Sequence, residues 1–278
     1  MGLGDEIMTT GFARLAKDAH PDAQIIIGNK EKNLIYDHLI FKNNPNITKE
    51  KDIKLSMKTV WIETYPQKRP YIKRWDENKI YWNNNFRTVR GDLFFDNFEI
   101  KKADEIIKDI QKKKNMNKKV IFIEPSRKIK EYNKNNLDNT LMGEPNKCWI
   151  YDRWQEVIYK LRDKCIFIQS LHKDSKKLEG VYGFKSDFRI ACSVMSLCDL
   201  FLGWEGGFSH AAAALKKKGV VLFGGWIHPN LTGYDDHLNI YCDIKGSPCG
   251  NKNYCEHCEK CRKLITVDQV VGRLNQII

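Results

Sequence analysis

Short apolar runs alternate with segments of helical periodicity along much of the chain. Runs bounded by glycine, proline or polar residues are typical of buried parallel strands, and they are AQIIIG, KKVIFIEPS, CIFIQS, LFLGWEGG and VVLFGG. Apolar residues recur at helical spacing in EIMTTGFARLAKDAHP, KNLIYDHLIF, KKADEIIKDIQKKK, DRWQEVIYKLRDK, SDFRIACSVMSLCD and FSHAAAALKKKG. This alternation of strand and helix, joined by short glycine loops, predicts an α/β fold with doubly wound parallel sheets.

The alternation is regular in the second half and interrupted in the first by TVWIETYPQKRPYIKRWDENKIYWNNNF. Aromatic residues lie among Arg and Lys there, which fits either packing under long loops or a surface that stacks sugars or bases. A lysine-rich helix end followed by NMN predicts a linker at 112–118. The 278 residues suffice for two domains. We therefore expect domains at 1–115 and 116–278, facing one cleft.

The charge of the chain is strongly basic, with a formal net charge of +12. Clustered Lys and Arg would favour nucleic acid, but stretches such as DIQKKKNMNKK spread the lysines and favour solvated faces. An acidic substrate or a membrane surface would also suit a basic protein. No apolar run approaches the roughly 20 residues of a membrane span, and the start resembles no signal peptide. We expect the protein in the cytoplasm or at the inner membrane face.

The loop after one predicted strand, in LFLGWEGGFSHAAAAL, offers the clearest ligand site, because doubly wound sheets bind ligands at the carboxyl ends of strands. Gly206 and Gly207 allow close backbone approach, and the helix that follows presents unpaired N–H groups to an anion. Glu205 can accept from sugar or ribose hydroxyls, and His210 can donate to phosphate. A packed core histidine is the alternative at that position.

Other candidate positions lie at strand ends and helix starts. Ser126 and Arg127 follow one predicted strand, and Lys147 precedes a helix as a mobile charge suited to phosphate, or as an ordinary surface lysine. Gly2, Gly4 and Asp5 predict a glycine loop of the kind that follows a buried strand, yet only Met1 precedes them.

Five segments carry a family resemblance in their order and spacing: GLGDEIMTTGFARLAKDAHPDAQIII, NKCWIYDRWQEVI, CDLFLGWEGGFSHAAAAL, VVLFGGWIHP and the cysteine-rich tail that ends in LITVDQVV. They resemble glycosyltransferase family nine, the group of the ADP-heptose:lipopolysaccharide heptosyltransferases. The aromatic middle of the first half does not align. The resemblance implies a GT-B arrangement of two Rossmann-like domains, with the nucleotide-sugar donor held mainly by the C-terminal domain and the acceptor by the N-terminal one. It also implies inverting transfer without a catalytic metal or cofactor.

The resemblance assigns roles to individual residues. Asp5 matches the aspartate proposed as general base, and Lys147 matches the lysine that contacts donor phosphate. Glu205 stands where the family has Asp, so its carboxylate is one methylene longer. With the strand-end residues, the expected donor site comprises Ser126, Arg127, Lys147, Glu205, Gly206, Gly207 and His210.

Family members place a strand directly before the glycine loop, so the first strand of the N-terminal domain is apparently missing here. Either the sequence lacks its true beginning or the sheet is one strand short. We expect the former, because loss of a central strand would leave both neighbours without pairing.

Four of the nine cysteines lie near the end of the chain, in CGNKNYCEHCEKC. Cys255, Cys258 and Cys261 follow C-x-x-C-x-x-C spacing, with Cys249 upstream. This pattern fits structural zinc, or an iron–sulfur cluster, while free thiols remain the alternative. Disulfides are disfavoured in a reducing compartment. A metal here would stabilise a loop and take no part in the chemistry.

Together these features predict a glycosyltransferase. It would move a heptose or other hexose-like unit from a nucleotide-diphosphate donor to a glycan or glycolipid acceptor in lipopolysaccharide or polysaccharide synthesis. Two alternatives stay open: a basic, zinc-containing nucleic-acid-binding protein, and a catalytically inactive relative that binds sugar nucleotides.

Overall fold

A computed structural model of the chain describes residues 2–63, 69–113, 118–125, 144–172 and 175–278. The first half holds a small sheet, a hairpin and two long helices. In chain order its elements are α1 (Leu3–Ala19), β1 (Gln24–Asn29), β2 (Leu34–Ile35), β3 (Thr59–Ile62), β4 (Ile72–Trp75), β5 (Ile80–Trp82) and α2 (Asn97–Lys113), with 3-10 helices at Leu39–Phe41 and Glu50–Asp52. Strand β1 is central, parallel to β3 and antiparallel to β2, while β4 and β5 form a separate antiparallel pair.

Two local predictions for the first half are wrong. The segment KNLIYDHLIF forms the short strand β2 and a 3-10 helix, because Asn33, at φ 45°, turns the chain back so that β2 pairs with β1. The expected glycine loop is the start of a helix: α1 begins at Leu3, so Gly4 and Asp5 lie in its first turn.

The second half holds a six-stranded parallel sheet. Its strands and helices are β6 (Lys119–Glu124), α3 (Glu144–Lys147), α4 (Tyr151–Leu161), β7 (Cys165–Leu171), β8 (Tyr182–Lys185), α5 (Phe188–Ser196), β9 (Leu200–Trp204), α6 (Gly207–Ala214), β10 (Lys218–Gly224), α7 (Pro229–Thr232), β11 (His237–Tyr241), α8 (Glu256–Leu264) and α9 (Val267–Asn275). The order is β11-β10-β9-β6-β7-β8. Strands β8 and β11 and helices α8 and α9 were not predicted, whereas the other strands of this sheet were.

Helices cover both faces of this sheet. Phe122 of β6 packs in a core with residues of α2, α5 and α6, whereas its neighbour Ile123 packs with residues of α4 and α9. Burial on both faces explains why the strands read as unbroken apolar runs. The predicted α/β class with a doubly wound parallel sheet is confirmed.

Helix α2 joins the two halves. It precedes the predicted boundary at residue 115, yet its Ala103 and Ile107 belong to the same core as Phe122. At its first turn Glu99 accepts two hydrogen bonds from Arg189 of α5, at 2.5 and 2.8 Å, and both side chains are buried. The assignment of 1–115 and 116–278 as separate domains stays a prediction, as does the linker at 112–118, of which residues 114–117 lie outside the described part.

Among the described residues, no helix is both long enough and apolar enough to cross a membrane.

Candidate functional site

A cleft of about 500 Å³ opens at the carboxyl ends of β6, β7 and β9. The first turns of α1 and α6 form part of its wall. The predicted site residues that line it are Asp5, Lys147, Glu205, Gly206, Gly207 and His210. Ser126 and Arg127 lie outside the described residues. The structure therefore gathers residues that are far apart in sequence at the edge of the sheet where ligands of such folds bind.

Lys147 and Glu205, which both line the cleft, form an ion pair. Lys147 Nζ lies 2.5 Å from Glu205 Oε2, and 4.4 Å from the ring centre of Trp226. Burial alone would raise the pKa of Glu205, but the charge of Lys147 and the contact with His210 outweigh it and lower the pKa to about 2. Glu205 is therefore an anion at neutral pH. The cation beside it is held in place by both a carboxylate and an aromatic face.

His210 is a buried, packed residue. Its Nδ1 lies 2.7 Å from the Tyr234 hydroxyl, and its Nε2 lies 3.7 Å from Glu205 Oε1. The arrangement matches the packed-histidine interpretation that the sequence left open. Direct donation from His210 to a phosphate stays a prediction.

Gly4 packs directly against the His210 ring. A Cβ atom at Gly4 would lie 2.4 Å from His210 Cδ2, which is closer than real carbon atoms approach. Absence of a side chain at this position lets the start of α1 reach the start of α6. The glycine that the sequence suggested for ligand approach therefore serves, in this structure, a contact between two helices.

Asp5 is held by two residues that the sequence analysis did not identify. The Tyr71 hydroxyl donates to Asp5 Oδ1 at 2.6 Å, and Arg69 Nε lies 3.4 Å from Asp5 Oδ2. Burial and the nearby Asp5 charge raise the pKa of Tyr71, so it remains a donor at neutral pH. Both residues lie in the aromatic segment that follows no clear period, where no local signal indicates a role in the site.

The N-terminus of α6 faces the cleft through two glycines. Gly206 is the N-cap, and its N–H donates to Ser209 Oγ at 3.1 Å while the Ser209 hydroxyl donates back to the Gly206 carbonyl at 2.8 Å. The first N–H groups of a helix have no partner within the helix. A Cβ at Gly206 would meet no atom within 4 Å, so the backbone there borders open space.

The cysteine-rich tail forms a compact group of possible metal ligands. Sulfur or nitrogen atoms of Cys249, Cys255, Cys258 and His257 lie within 4.8 Å of one another. Three of the four predicted ligands are therefore together, with His257 in the place expected for Cys261. The reason is that α8 carries Cys261 one turn beyond Cys258, where its Sγ faces Ser247 Oγ at 3.8 Å.

The thiols of this group interact closely. Cys249 Sγ lies 2.9 Å from Cys258 Sγ, and the hydrogen bond from Cys258 lowers the pKa of Cys249 to about 6. All nine cysteines are free thiols. Three sulfurs and one imidazole are a donor set that suits tetrahedral zinc, in which the Zn–S distance is about 2.3 Å.

No protein-family model matches the sequence, and no curated protein matches it. Structural comparison does find related folds. The glycosyl transferase family 9 structure from Veillonella parvula DSM 2008 superposes with a TM-score of 0.61 at 13% identity, over 100% of this chain and 94% of that one. The E. coli ADP-heptose lps heptosyltransferase II gives 0.56 at 12% identity, over 99% and 96%.

A further similar structure is the iron-containing dodecameric glycosyltransferase TibC from enterotoxigenic E. coli H10407. It superposes with a TM-score of 0.59 at 14% identity, over 100% of this chain and 74% of that one. At identities this low, these superpositions establish a common fold and nothing beyond it. They confirm the fold that the resemblance predicted, across the whole chain.

Proposed function

We propose that this chain is a glycosyltransferase of the family-nine type, which transfers a heptose or hexose-like unit from a nucleotide-diphosphate donor to a glycan or glycolipid acceptor. One observation carries the proposal. A partly buried carboxylate, Asp5, and a lysine, Lys147, line the same cleft beside the N-terminus of α6. Transfer of a sugar from a diphosphate needs a proton acceptor and a stabiliser of negative charge, and the cleft offers both.

The donor diphosphate would bind at Lys147 and the first turn of α6. Lys147 neutralises Glu205 at 2.5 Å, so a phosphate has to draw the ammonium group partly away from that carboxylate. Once Lys147 moves towards phosphate, Glu205 is free to accept hydrogen bonds from donor hydroxyls. The two residues would thus bind different parts of the donor, Lys147 the phosphate and Glu205 the hydroxyl groups.

The chemical step follows from these positions. An acceptor hydroxyl attacks the anomeric carbon, its proton passes to Asp5, and the bond from the anomeric carbon to the diphosphate oxygen breaks. The electron pair of that bond leaves with the diphosphate, whose charge Lys147 and the amides of α6 stabilise. A single displacement from the opposite face inverts the anomeric configuration. Each of these groups belongs to the chain itself.

Residues 1–115 would contribute the acceptor side and residues 116–278 the donor side. Similar folds occur in a protein named as a family 9 glycosyl transferase and in one named as an ADP-heptose lps heptosyltransferase. This similarity supports an acceptor of the lipopolysaccharide or polysaccharide class. An acceptor of that kind would bring the enzyme to the inner face of the membrane.

The group formed by Cys249, Cys255, His257 and Cys258 would bind a structural metal ion. Zinc suits its sulfur and nitrogen donors, and the iron-containing TibC supports iron as the competing metal. Metal analysis of purified protein distinguishes them, with one equivalent of zinc as the expected result. A folded protein that purifies with neither metal would contradict a metal site.

Binding of nucleotides tests the donor site directly. We expect one of ADP, UDP, GDP or dTDP to raise the melting temperature, because a ligand that binds only the native state stabilises it. Lys147→Ala should weaken this effect. Lys160→Ala is the matched control, since Lys160 pairs with Asp268 on an exposed surface. If no nucleotide stabilises the protein, or if both variants behave alike, the donor site is wrong.

A further inference from the structure

Asn251 connects the thiol group to the cleft. Its backbone N–H points to Cys249 Sγ at 3.5 Å, and its side-chain amide donates to Cys255 Sγ at 3.0 Å. Its carbonyl oxygen accepts from Asn146 Nδ2 at 2.9 Å and from Trp226 Nε1 at 2.6 Å. One residue therefore touches two candidate metal ligands on one side and two neighbours of the active-site lysine on the other.

Asn146 directly precedes Lys147 in α3, so the hydrogen bonds of Asn146 restrain the position of Lys147. Asn146 is fully buried, and its amide donates a second hydrogen bond to the carbonyl of Asn253, at 2.6 Å. Trp226 supplies the ring over which Lys147 Nζ lies, at 4.4 Å. The side chain of the residue before Lys147 and the aromatic face beneath Lys147 are thus both fastened to the loop between Cys249 and Cys258.

The same loop also forms hydrogen bonds with the β4–β5 hairpin, which is preceded by Tyr71, a contact of Asp5. Ile80 N–H donates to the Gly250 carbonyl at 2.8 Å, and Lys252 N–H donates to the Asn78 carbonyl at 3.0 Å. Residue 79 also forms an isolated β-bridge with Asn251. Tyr71, which directly precedes β4 of this hairpin, donates to Asp5.

We propose that the Cys249–Cys258 loop is a positioning element of the active site, and that a metal ion held by its thiols fixes Lys147 through Asn146 and Asn251. The role assigned to Lys147 in binding the donor rests on the proposed function. The link between the loop and Lys147 does not, because it consists of hydrogen bonds that are present whatever the protein binds. Groups that orient metal ligands commonly tie a metal site to its surroundings, and metal binding orders the segment that supplies the ligands.

The first experiment needs no nucleotide. Hydrogen exchange of the metal-loaded and the chelator-stripped protein is measured for peptides that cover 144–150 and 72–82. We expect stripping to increase exchange at least tenfold in both segments, while α4 and α9 keep their protection. Unchanged exchange in 144–150 after verified removal of the metal overturns the proposal, whatever the protein binds.

The second experiment measures affinity for the nucleotide diphosphate that stabilises the wild type, with metal content determined in parallel. Asn146→Ala removes both amide hydrogen bonds to the loop but no metal ligand. Asn275→Ala is the matched control, because Asn275 Oδ1 accepts an exposed hydrogen bond from Lys164 Nζ. We expect Asn146→Ala to keep its metal and its melting temperature to within a few degrees, and to bind the nucleotide about tenfold more weakly.

Removal of the metal should weaken nucleotide binding by the wild type by a similar factor and should change Asn146→Ala little further, since two changes in one path do not add. Equal losses in the wild type and in Asn146→Ala overturn the proposed path. If the wild type binds no nucleoside diphosphate, the proposed function fails, and the exchange data alone decide whether the loop fixes Lys147.

Discussion

The Tyr71 hydroxyl donates a 2.6 Å hydrogen bond to Asp5 Oδ1, although 66 positions separate the two residues. The contact fixes one oxygen of the carboxylate, while Arg69 lies beside the other. A carboxylate oxygen has a second lone pair, so Asp5 can still accept a proton from a bound hydroxyl. Tyr71 thus sets the direction in which Asp5 points and does not occupy it fully.

Tyr71→Phe should lower kcat about ten- to a hundredfold, because a hydrogen bond to a charged group contributes about 1.5–3 kcal/mol. Affinity for the nucleotide should stay within about twofold, since Tyr71 has no assigned contact with the donor. Steady-state kinetics with separate titration of the nucleotide checks both. Tyr81→Phe is the control, because Tyr81 lies on the same hairpin and its hydroxyl makes a long, exposed contact of 3.5 Å with Asp76. Equal rates in the two variants would remove Tyr71 from the mechanism.

Gly206→Ala should fold normally and lose affinity for the nucleotide diphosphate by about tenfold or more. An added methyl at Gly206 meets no atom within 4 Å, so the loss would come from the space that the diphosphate needs. Gly272→Ala is the control, because its methyl also meets nothing and lies on α9, away from the cleft. Calorimetric titration measures the affinities. Unimpaired binding by Gly206→Ala would place the diphosphate elsewhere.

Arg189→Met should lower the free energy of unfolding by about 3–5 kcal/mol, because it leaves Glu99 charged and buried without its main partner. The two residues join α5 to α2, so the loss concerns the connection between the halves of the chain. Arg90→Met is the control, since the Arg90–Asp236 pair is exposed and should contribute no more than about 1 kcal/mol. Chemical denaturation measures both. If Arg189→Met lowered the free energy of unfolding by less than Arg90→Met does, the Arg189–Glu99 pair would not be an important connection between α5 and α2.

His237 should make stability fall between pH 6.5 and pH 4. Burial lowers the pKa of His237 from its ordinary 6.5 to about 4, so the folded protein keeps the ring neutral where the unfolded chain binds a proton. Above pH 6.5 His237 is neutral in both states and the free energy of unfolding is undiminished. As the pH falls from 6.5 to 4, the free energy of unfolding decreases by up to about 3 kcal/mol, because only the unfolded chain binds the proton. Melting temperatures across this range should fall less steeply for His237→Gln than for the wild type.

His20→Gln serves as the control for this pH dependence, because His20 is exposed. It should keep the slope of the wild type. Parallel curves for all three proteins would mean that His237 is not the group whose protonation destabilises the fold.

The regular half of the chain was the more predictable one. Buried strands such as β6 and β7 carry apolar residues on both faces, so their runs stand out in the sequence, whereas β8 alternates between half-buried and exposed positions and gives no such run. The prediction of a helix around Leu34 was wrong for a different reason. Pairing with β1 decides the conformation of this segment, and the local sequence does not show that pairing.

The same difference applies to the candidate site. Glu205, Gly206 and Gly207 were found because they follow a strand and precede a helix, which is a local pattern. Tyr71 and Asn146 act on the site through contacts with residues 66 and 105 positions away, respectively. Only the folded chain brings such partners together. The candidate metal ligands include His257 and not Cys261, and this too depends on the fold. The orientation of α8 about its axis decides which side chains face the other ligands, and the spacing of the cysteines alone does not specify it.

The contact between Gly4 and His210 limits how such chains can be recombined. In a chimera that takes its first segment from one protein and the remainder from another, positions 4 and 210 come from different parents. A parent that supplies any side chain at position 4 must therefore be matched with one that has a smaller residue than histidine at position 210. The two positions therefore have to come from compatible parents. A graft that respects only the loop boundaries would displace the start of α1, and with it Asp5, relative to Lys147 and Glu205, which line the same cleft.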